Sequence, residues 1–250
     1  MHRVYSPHVN FNSQEVTLTD PKEIHHLRDV LRLKKGAEVC LFDGKNQEAM
    51  GKIELIAPNE VRVKILEIKK QMLNERKIIL ACAIPKKSKF EFIIEKVTEL
   101  GVDEIIPLKT RRTEINLNKE RLVKKNLRYQ TVAINAAKQC RRSNIPLIHP
   151  ITDFTNALTQ LSQTTTVLIA SLMEPRIPLI QALQQINSSK NISIFIGPEG
   201  DFTPEEYHLA QNSHCIAVSL GATILKVDTA AMSTVAMINL LNCKIFPNQE

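Results

Sequence analysis

The sequence predicts an α/β protein in two parts, a small β-barrel followed by a larger domain in which strands and helices alternate. Three observations predict it. Up to about Ile68 the chain runs in short stretches of alternating apolar and polar residues, joined by turn residues such as Asp43-Gly44 and Pro58-Asn59. From Lys77 onward, apolar runs of strand length alternate with segments of helical periodicity, the pattern of a largely parallel sheet with helices on both faces. In the last quarter, two apolar runs each stop at a glycine-bearing loop and pass straight into a helix start.

Composition narrows the class. A chain of 250 residues buries a core without staples. Its five cysteines are scattered, with no C-x-x-C and no histidine pair at zinc spacing, so reduced thiols, a cytoplasmic address and no metal site are expected. No apolar stretch is long enough to span a bilayer, and Met1–Ser6 lacks the apolar region of a signal peptide, so no membrane association is expected. A formal net charge of +7 favours a polyanionic partner.

Taken in order, Val16–Leu18, Glu38–Phe42, Ala49–Ile56 and Val61–Ile68 are the expected barrel strands. One helix interrupts them. Asp20-Pro21 caps and opens it, and Ile24, Leu27, Val30 and Leu31 form its expected buried face. The same segment carries His25, His26, Arg28 and Arg32, either a solvated face or a phosphate-contacting one; adjacent histidines cannot share a helical face, which argues against a metal there. The polar stretch Lys69–Arg76 marks the domain boundary, placed between residues 72 and 73, giving domains 1–72 and 73–250. Beyond it come a buried strand Lys77–Ile84, a helix with Phe90, Ile93, Ile94, Val97 and Leu100 in phase and Gly101 as its stop, and a strand Val102–Leu108. A long helix from about Asn118 to Gln139, then a strand Thr165–Ala170 and its helix, lead to the two C-terminal units.

The first of these units ends in Gly197-Pro198-Glu199-Gly200, and Thr203-Pro204-Glu205-Glu206 then reads as a capping box with proline at the first helical position. The second reaches Leu220-Gly221, and Asp228 or Thr229 is placed to cap the last helix. Both loops lie at the carboxyl ends of strands, where open parallel sheets bind ligands. Neither fits a dinucleotide or P-loop fingerprint, which argues against an enzyme using another nucleotide cofactor. Basic residues gather at further loops: Lys86-Lys87, Arg111-Arg112, and Lys138 with Arg141-Arg142.

Gly197-Pro198-Glu199-Gly200, followed by Leu220-Gly221-x-x-Ile224-Leu225-Lys226-x-Asp228-Thr229-Ala230, resembles the C-terminal signature of the RsmE-type 16S rRNA uridine-N3 methyltransferases of the SPOUT class. His26-Leu27-x-x-Val30-Leu31-Arg32 is similar to that family's N-terminal motif, and Asn135–Pro146 to its A-x-E-Q-x-x-R-x-x-x-P segment. The resemblance implies a PUA-like RNA-binding barrel, a SPOUT α/β domain with a deep C-terminal trefoil knot, S-adenosylmethionine as cofactor, and a homodimer acting on 16S rRNA or the small ribosomal subunit.

On that reading Ile196, Leu220, Ile224 and Leu225 wall the cofactor pocket, Gly197, Gly200 and Gly221 allow close backbone approach, and Leu172 completes it. Thr229 and Ala230 open the last helix toward the methionine part. Lys226 is the expected cation beside the uridine, with Asp228 or Glu199 as base or orienting group, and the target base has to be unpaired to expose N3. RNA contacts are expected from His26, Arg28, Arg32, Lys86, Arg111, Arg112, Lys138 and Arg142. The chain departs from the family pattern at Thr223, Lys226 and Asp228, where Arg, Arg and Glu are usual, and at Lys138, where Glu is usual. Those departures keep a second reading open: an RNA-binding or ribosome-assembly protein of the same fold, or a methyltransferase with another RNA target.

Overall fold

A computed structural model describes residues 2–70, 76–86, 89–113, 119–186 and 190–242. Its contacts divide the chain into two units: Met1–Leu73 with Ala137–Ile145, and Asn74–Ala136 with Pro146–Glu250. The boundary expected between residues 72 and 73 lies outside the described residues.

The first unit runs β1 (His2–Tyr5), β2 (Glu15–Leu18), α1 (Pro21–His25), a π-helical turn His26–Val30, β3 (Glu38–Phe42), β4 (Gln47–Ile56) and β5 (Val61–Lys70). The strands form one sheet in the order β1-β3-β4-β5-β2, antiparallel except for the β1–β3 pair. Alternation sets its core: Val61 and Val63 on β5, Val16 and Leu18 on β2, and Val39 and Leu41 on β3 are buried together. The side chain of Asp20 accepts from Lys22 N, and Ile24 on α1 and Leu27 on the π turn pack this segment onto the core.

Val30 departs from expectation. It is 57% exposed, because the helix loosens into a π turn in which Leu31 N donates to His26 O. The wider turn breaks the three-residue spacing that aligned Val30 with Leu27, and the fourth residue, Leu31, packs on the core instead.

Residues 137–145, assigned from sequence to the second domain, return to this unit. Arg3 donates to Ser143 Oγ at 2.8 Å and to Glu48 Oε2 at 2.9 Å, and Ile145 N donates to Gly44 O at 3.1 Å.

The second unit holds β6 (Ile78–Ala83), α2 (Phe90–Glu99), β7 (Glu104–Lys109), α3 (Lys119–Gln139, its last turn counted with the first unit), β8 (Leu147–Ile148) and β9 (Thr152–Asp153). These are followed by α4 (Phe154–Ser162), β10 (Thr166–Ala170), β11 (Ile177–Pro178), α5 (Leu179–Gln185), β12 (Ile192–Ile196), α6 (Pro204–Asn212), β13 (Ile216–Ser219) and α7 (Val227–Asn242). The sheet is parallel throughout, in the order β11-β13-β10-β12-β6-β7-β8, with β9 also on β7. Such a sheet is covered on both faces, and β6 and β12 are accordingly buried at every residue. α4 packs on β7 and β10 with α6 beside it, while α7 packs on β6 and β12 with α2 and α5 beside it. The α6 start is the capping box read from sequence: Thr203 Oγ1 accepts from Glu206 N, and Glu206 Oε2 accepts from Thr203 N at 2.9 Å.

The order of strands carries the functional consequence. The chain leaves β10, forms β11 at the sheet edge, crosses to β12 on the other side of β10, and then inserts β13 between β10 and β11. The carboxyl ends of β10, β12 and β13 therefore converge, and the loops that follow them face one another across the sheet edge.

Candidate functional site

A cavity of about 250 Å³ opens where these three strands end. Its lining comes from Ala170–Leu172 and Arg176 at and after the end of β10, Ile196–Glu199 and Asp201 at and after the end of β12, and Val218, Leu220, Gly221 and Thr223–Lys226 at and after the end of β13, with Val227 and Ala230 from the first turns of α7. Apolar walls and a few converging polar groups are the usual composition of a small-molecule site. Two of the walls have little else to pack on: Ile224 is 78% exposed and Leu172 47%. Side chains of that size standing over a cavity mouth are suited to being covered by a ligand.

Of the residues expected to hold a cofactor, the structure brings Leu172, Ile196, Gly197, Leu220, Gly221, Ile224, Leu225 and Ala230 to this cavity, together with Lys226 and Glu199. Gly221 has φ +127°, a backbone conformation that side chains rarely adopt, and nothing lies within 4 Å of where a Cβ would be. Glycine there serves the course of the main chain rather than the relief of a clash. Ser219 fixes the same turn, accepting from Gly221 N and donating to Gly221 O.

Gly200, Thr229 and Asp228 do not line the cavity. A Cβ at Gly200 would meet Arg112 Cδ at 3.3 Å, and Arg112 Nη1 donates to Gly200 O and, at 3.3 Å, to Phe202 O. Glycine at 200 thus makes room for an arginine. Asp228 accepts from Thr229 N at 3.0 Å, a contact inside the first turn of its own helix. It nevertheless lies near the site: burial, then the charges of Glu199 and Asp228, push the Cys82 thiol at the end of β6 far up.

Lys226 is exposed and lines the cavity, and its ammonium has no partner among the described residues. Glu199 is held from behind, Oε1 accepting from Lys86 N at 3.1 Å. Arg111 reaches the same region through its backbone, N donating to Glu206 Oε1 at 2.9 Å. Lys86, Arg111 and Arg112 are therefore tied to the loops of this site, whatever their side chains contact in addition.

The remaining expected RNA contacts sit in the first unit. Arg28 is engaged in a two-pronged pair with Asp29, at 2.7 and 2.8 Å, and donates to Pro58 O. His25 also bonds Asp29, at 2.7 Å, while His26 and Arg32 are exposed. Lys138 is half-buried against Glu23, which is itself 8% exposed. Arg142 accepts from Arg3 through its carbonyl at 3.3 Å.

Sequence reasoning missed Ser171, Arg176 and Asp201. Arg176 donates from Nη1 to Ser171 O at 2.7 Å and from Nε to Glu174 Oε1 at 3.0 Å. Asp201 accepts from Tyr207 Oη at 2.8 Å. Asp201 follows the glycine loop directly and precedes a capping threonine, a position that could have drawn attention to it. Arg176 gave no local signal. Among the described residues no group of three or more His, Cys, Asp or Glu is placed to hold a metal, and no helix is long and apolar enough to cross a membrane.

Comparison with known proteins bears on the same regions. The RNA methyltransferase domain family matches residues 72–239, and the RNA methyltransferase PUA domain matches residues 18–66. The ribosomal RNA small subunit methyltransferase E of Rickettsia conorii is 31% identical over 241 residues, covering 96% of this chain and 95% of its own length. That of Bacillus subtilis is 26% identical, covering 87% of each. The crystal structure of a ribosomal RNA small subunit methyltransferase E from Neisseria gonorrhoeae, bound to S-adenosylmethionine, superposes with a TM-score of 0.85 at 28% identity, covering 96% of this chain and 98% of that one.

Proposed function

The chain belongs to the ribosomal RNA small subunit methyltransferase E family, and we propose that it transfers a methyl group from S-adenosylmethionine to N3 of a uridine in 16S rRNA. The observation that carries this reading is the cavity at the ends of β10, β12 and β13, with apolar walls, glycine-bearing loops and, at the same place, a lysine that has no partner among the described residues. The residues present fit the cofactor. Ile196, Leu220, Ile224 and Leu225 offer faces for an adenine, and the N-terminus of α7 offers backbone N–H groups and the positive end of a helix dipole to a carboxylate. When bound, the cofactor supplies an electrophilic methyl group.

The chain's own residues supply the rest. Uridine N3 becomes a nucleophile when its proton leaves, and the negative charge then spreads onto the flanking carbonyl oxygens. Lys226 offers a cation to that charge, and Glu199, held by Lys86 N and lining the same cavity, offers a carboxylate to take the proton. N3 lies on the Watson–Crick edge, so the base has to leave its stack to be reached. The cationic groups at loops around the site, with the PUA unit, fit an RNA substrate.

Two features of the assembly belong to the same proposal. β13 lies between β10 and β11 although the chain continues to α7 on β6 and β12; that path supports a C-terminal trefoil knot in which the β13–α7 connection is threaded. Phe92 on α2 and Met237, Leu240 and Leu241 on α7 are 47%, 38%, 71% and 51% exposed, which supports a second copy of the chain covering this face in a homodimer. Sedimentation is expected to give a dimer for the wild type and a monomer for Leu240→Glu; a monomeric wild type at micromolar concentration overturns it. A cytoplasmic address follows from a ribosomal substrate.

The test of function is transfer of labelled methyl to small ribosomal subunits that lack the modification, followed by nucleoside analysis. N3-methyluridine is the expected product. A protein that binds the cofactor but modifies neither subunits nor free 16S rRNA would instead be the RNA-binding relative that its substitutions at Thr223, Lys226 and Asp228 left open.

A further inference from the structure

We propose that Asp201 and Arg176 bind the ribose diol of the cofactor, an inference that rests on the methyltransferase reading and gives that cavity its polar wall. Both line the cavity, and each is held in place by partners other than the other. Arg112 donates to the carbonyls of Gly200 and Phe202, the residues on either side of Asp201. Asp201 itself has φ 64°, and Tyr207 Oη donates to its Oδ1 at 2.8 Å. A residue in this left-handed conformation persists because its surroundings fix it, a feature that gathers at ligand sites. The carboxylate lies against the end of β12, since a Cβ at Gly197 would come within 3.3 Å of Asp201 Oδ1.

Arg176 is placed from the neighbouring strand. Its Nη1 is fixed on Ser171 O and its Nε on Glu174, and further guanidinium N–H groups remain. Tyr207 links the two sides, because its hydroxyl also lies 3.5 Å from Ala170 O, one residue before the carbonyl that holds Arg176. An ionised carboxylate only accepts and a guanidinium only donates. Two adjacent hydroxyls donate and accept, so a vicinal diol answers both groups at once. The carboxylate of the cofactor has its own match in the N-terminus of the 16-residue α7, whose Ala230 also lines the cavity. With the adenine between the apolar walls, the ribose that joins base to tail falls to the remaining polar wall.

Binding of S-adenosylhomocysteine and its 2′-deoxy and 3′-deoxy analogues tests this without turnover. Isothermal titration with the wild type should show about tenfold weaker binding of at least one deoxy analogue, the scale of a lost hydrogen bond to a charged group. Asp201→Asn keeps the shape and tolerates the same backbone conformation. It should bind the parent about tenfold more weakly and lose most of the preference for the intact diol. Arg176→Met removes the donor side and gives a second, independent reading in a differently placed residue. If both variants fold and keep the wild-type preference, the assignment is wrong, while the methyltransferase reading stands. If the wild type binds neither parent nor analogues, both readings fall together.

Discussion

Replacing Lys226 with Ala should lower the rate of methyl transfer about 100- to 1000-fold while changing cofactor affinity far less, the range seen when a single charge-stabilising donor is removed from an active site. The argument is electrostatic. Removing the N3 proton of uridine leaves an anion whose charge sits on its oxygens, and a cation in a partly dry cavity stabilises that charge far better than water does. Lys226 is free for this role, with no carboxylate partner among the described residues, whereas Arg176, the other cation lining the cavity, is committed to Ser171 O and Glu174. The charge is needed in the transition state and not for holding an adenine against Ile196 and Leu220, so the loss should fall on kcat. Lys226→Arg should restore most of it, since the charge returns although the geometry of the donors differs. Titration of the cofactor against single-turnover rates separates the two effects; a variant that loses affinity and rate in equal measure makes Lys226 a cofactor residue only.

What the sequence disclosed and what it hid divide along a physical line. The cavity walls were readable because they are local: an apolar run, a glycine, then a helix start place Ile196-Gly197 and Leu220-Gly221 at strand ends with no knowledge of the rest of the chain. The capping box at Thr203 was readable for the same reason. Gly200 falls outside the cavity lining because what lies against it is Arg112, 88 residues away, and a glycine that admits a side chain looks in sequence like one that admits a ligand. Asp201 and Arg176 were passed over because charged residues in loops are ordinarily solvated, and only the side-chain contacts with Tyr207 and Ser171 set these two apart. Val30 failed through a backbone irregularity that periodicity assumes away. The two-residue strands β8, β9 and β11 are too short to show any period at all.

The same distance hid the role of Lys138, and its reversal to Glu should destabilise the first unit by about 3–5 kcal/mol, the usual cost of leaving a buried charge without its partner. Lys138 Nζ contacts Glu23 Oε1, 115 residues earlier, with side-chain exposures of only 20% and 11%. The other carboxylate oxygen, Glu23 Oε2, is buried and has no hydrogen-bond partner among the described residues. Glu23 therefore depends on this one cation, which accounts for a lysine in a motif where the resemblance leads one to expect Glu. A second glutamate in its place would set two carboxylates side by side at the foot of α1. The exchanged pair, Glu23→Lys with Lys138→Glu, should recover most of the loss, because it restores opposite charges in the same place. Denaturant unfolding of the two single variants and the double measures this directly, and a Lys138→Glu protein within about 0.5 kcal/mol of wild type would show the pair to be solvated and of no consequence. The exchanged variant also decides between structure and recognition. If Lys138 touches rRNA, a folded protein with Glu at 138 should bind it several-fold more weakly with a shallower salt dependence. If its work is to neutralise Glu23, RNA affinity should survive the exchange intact.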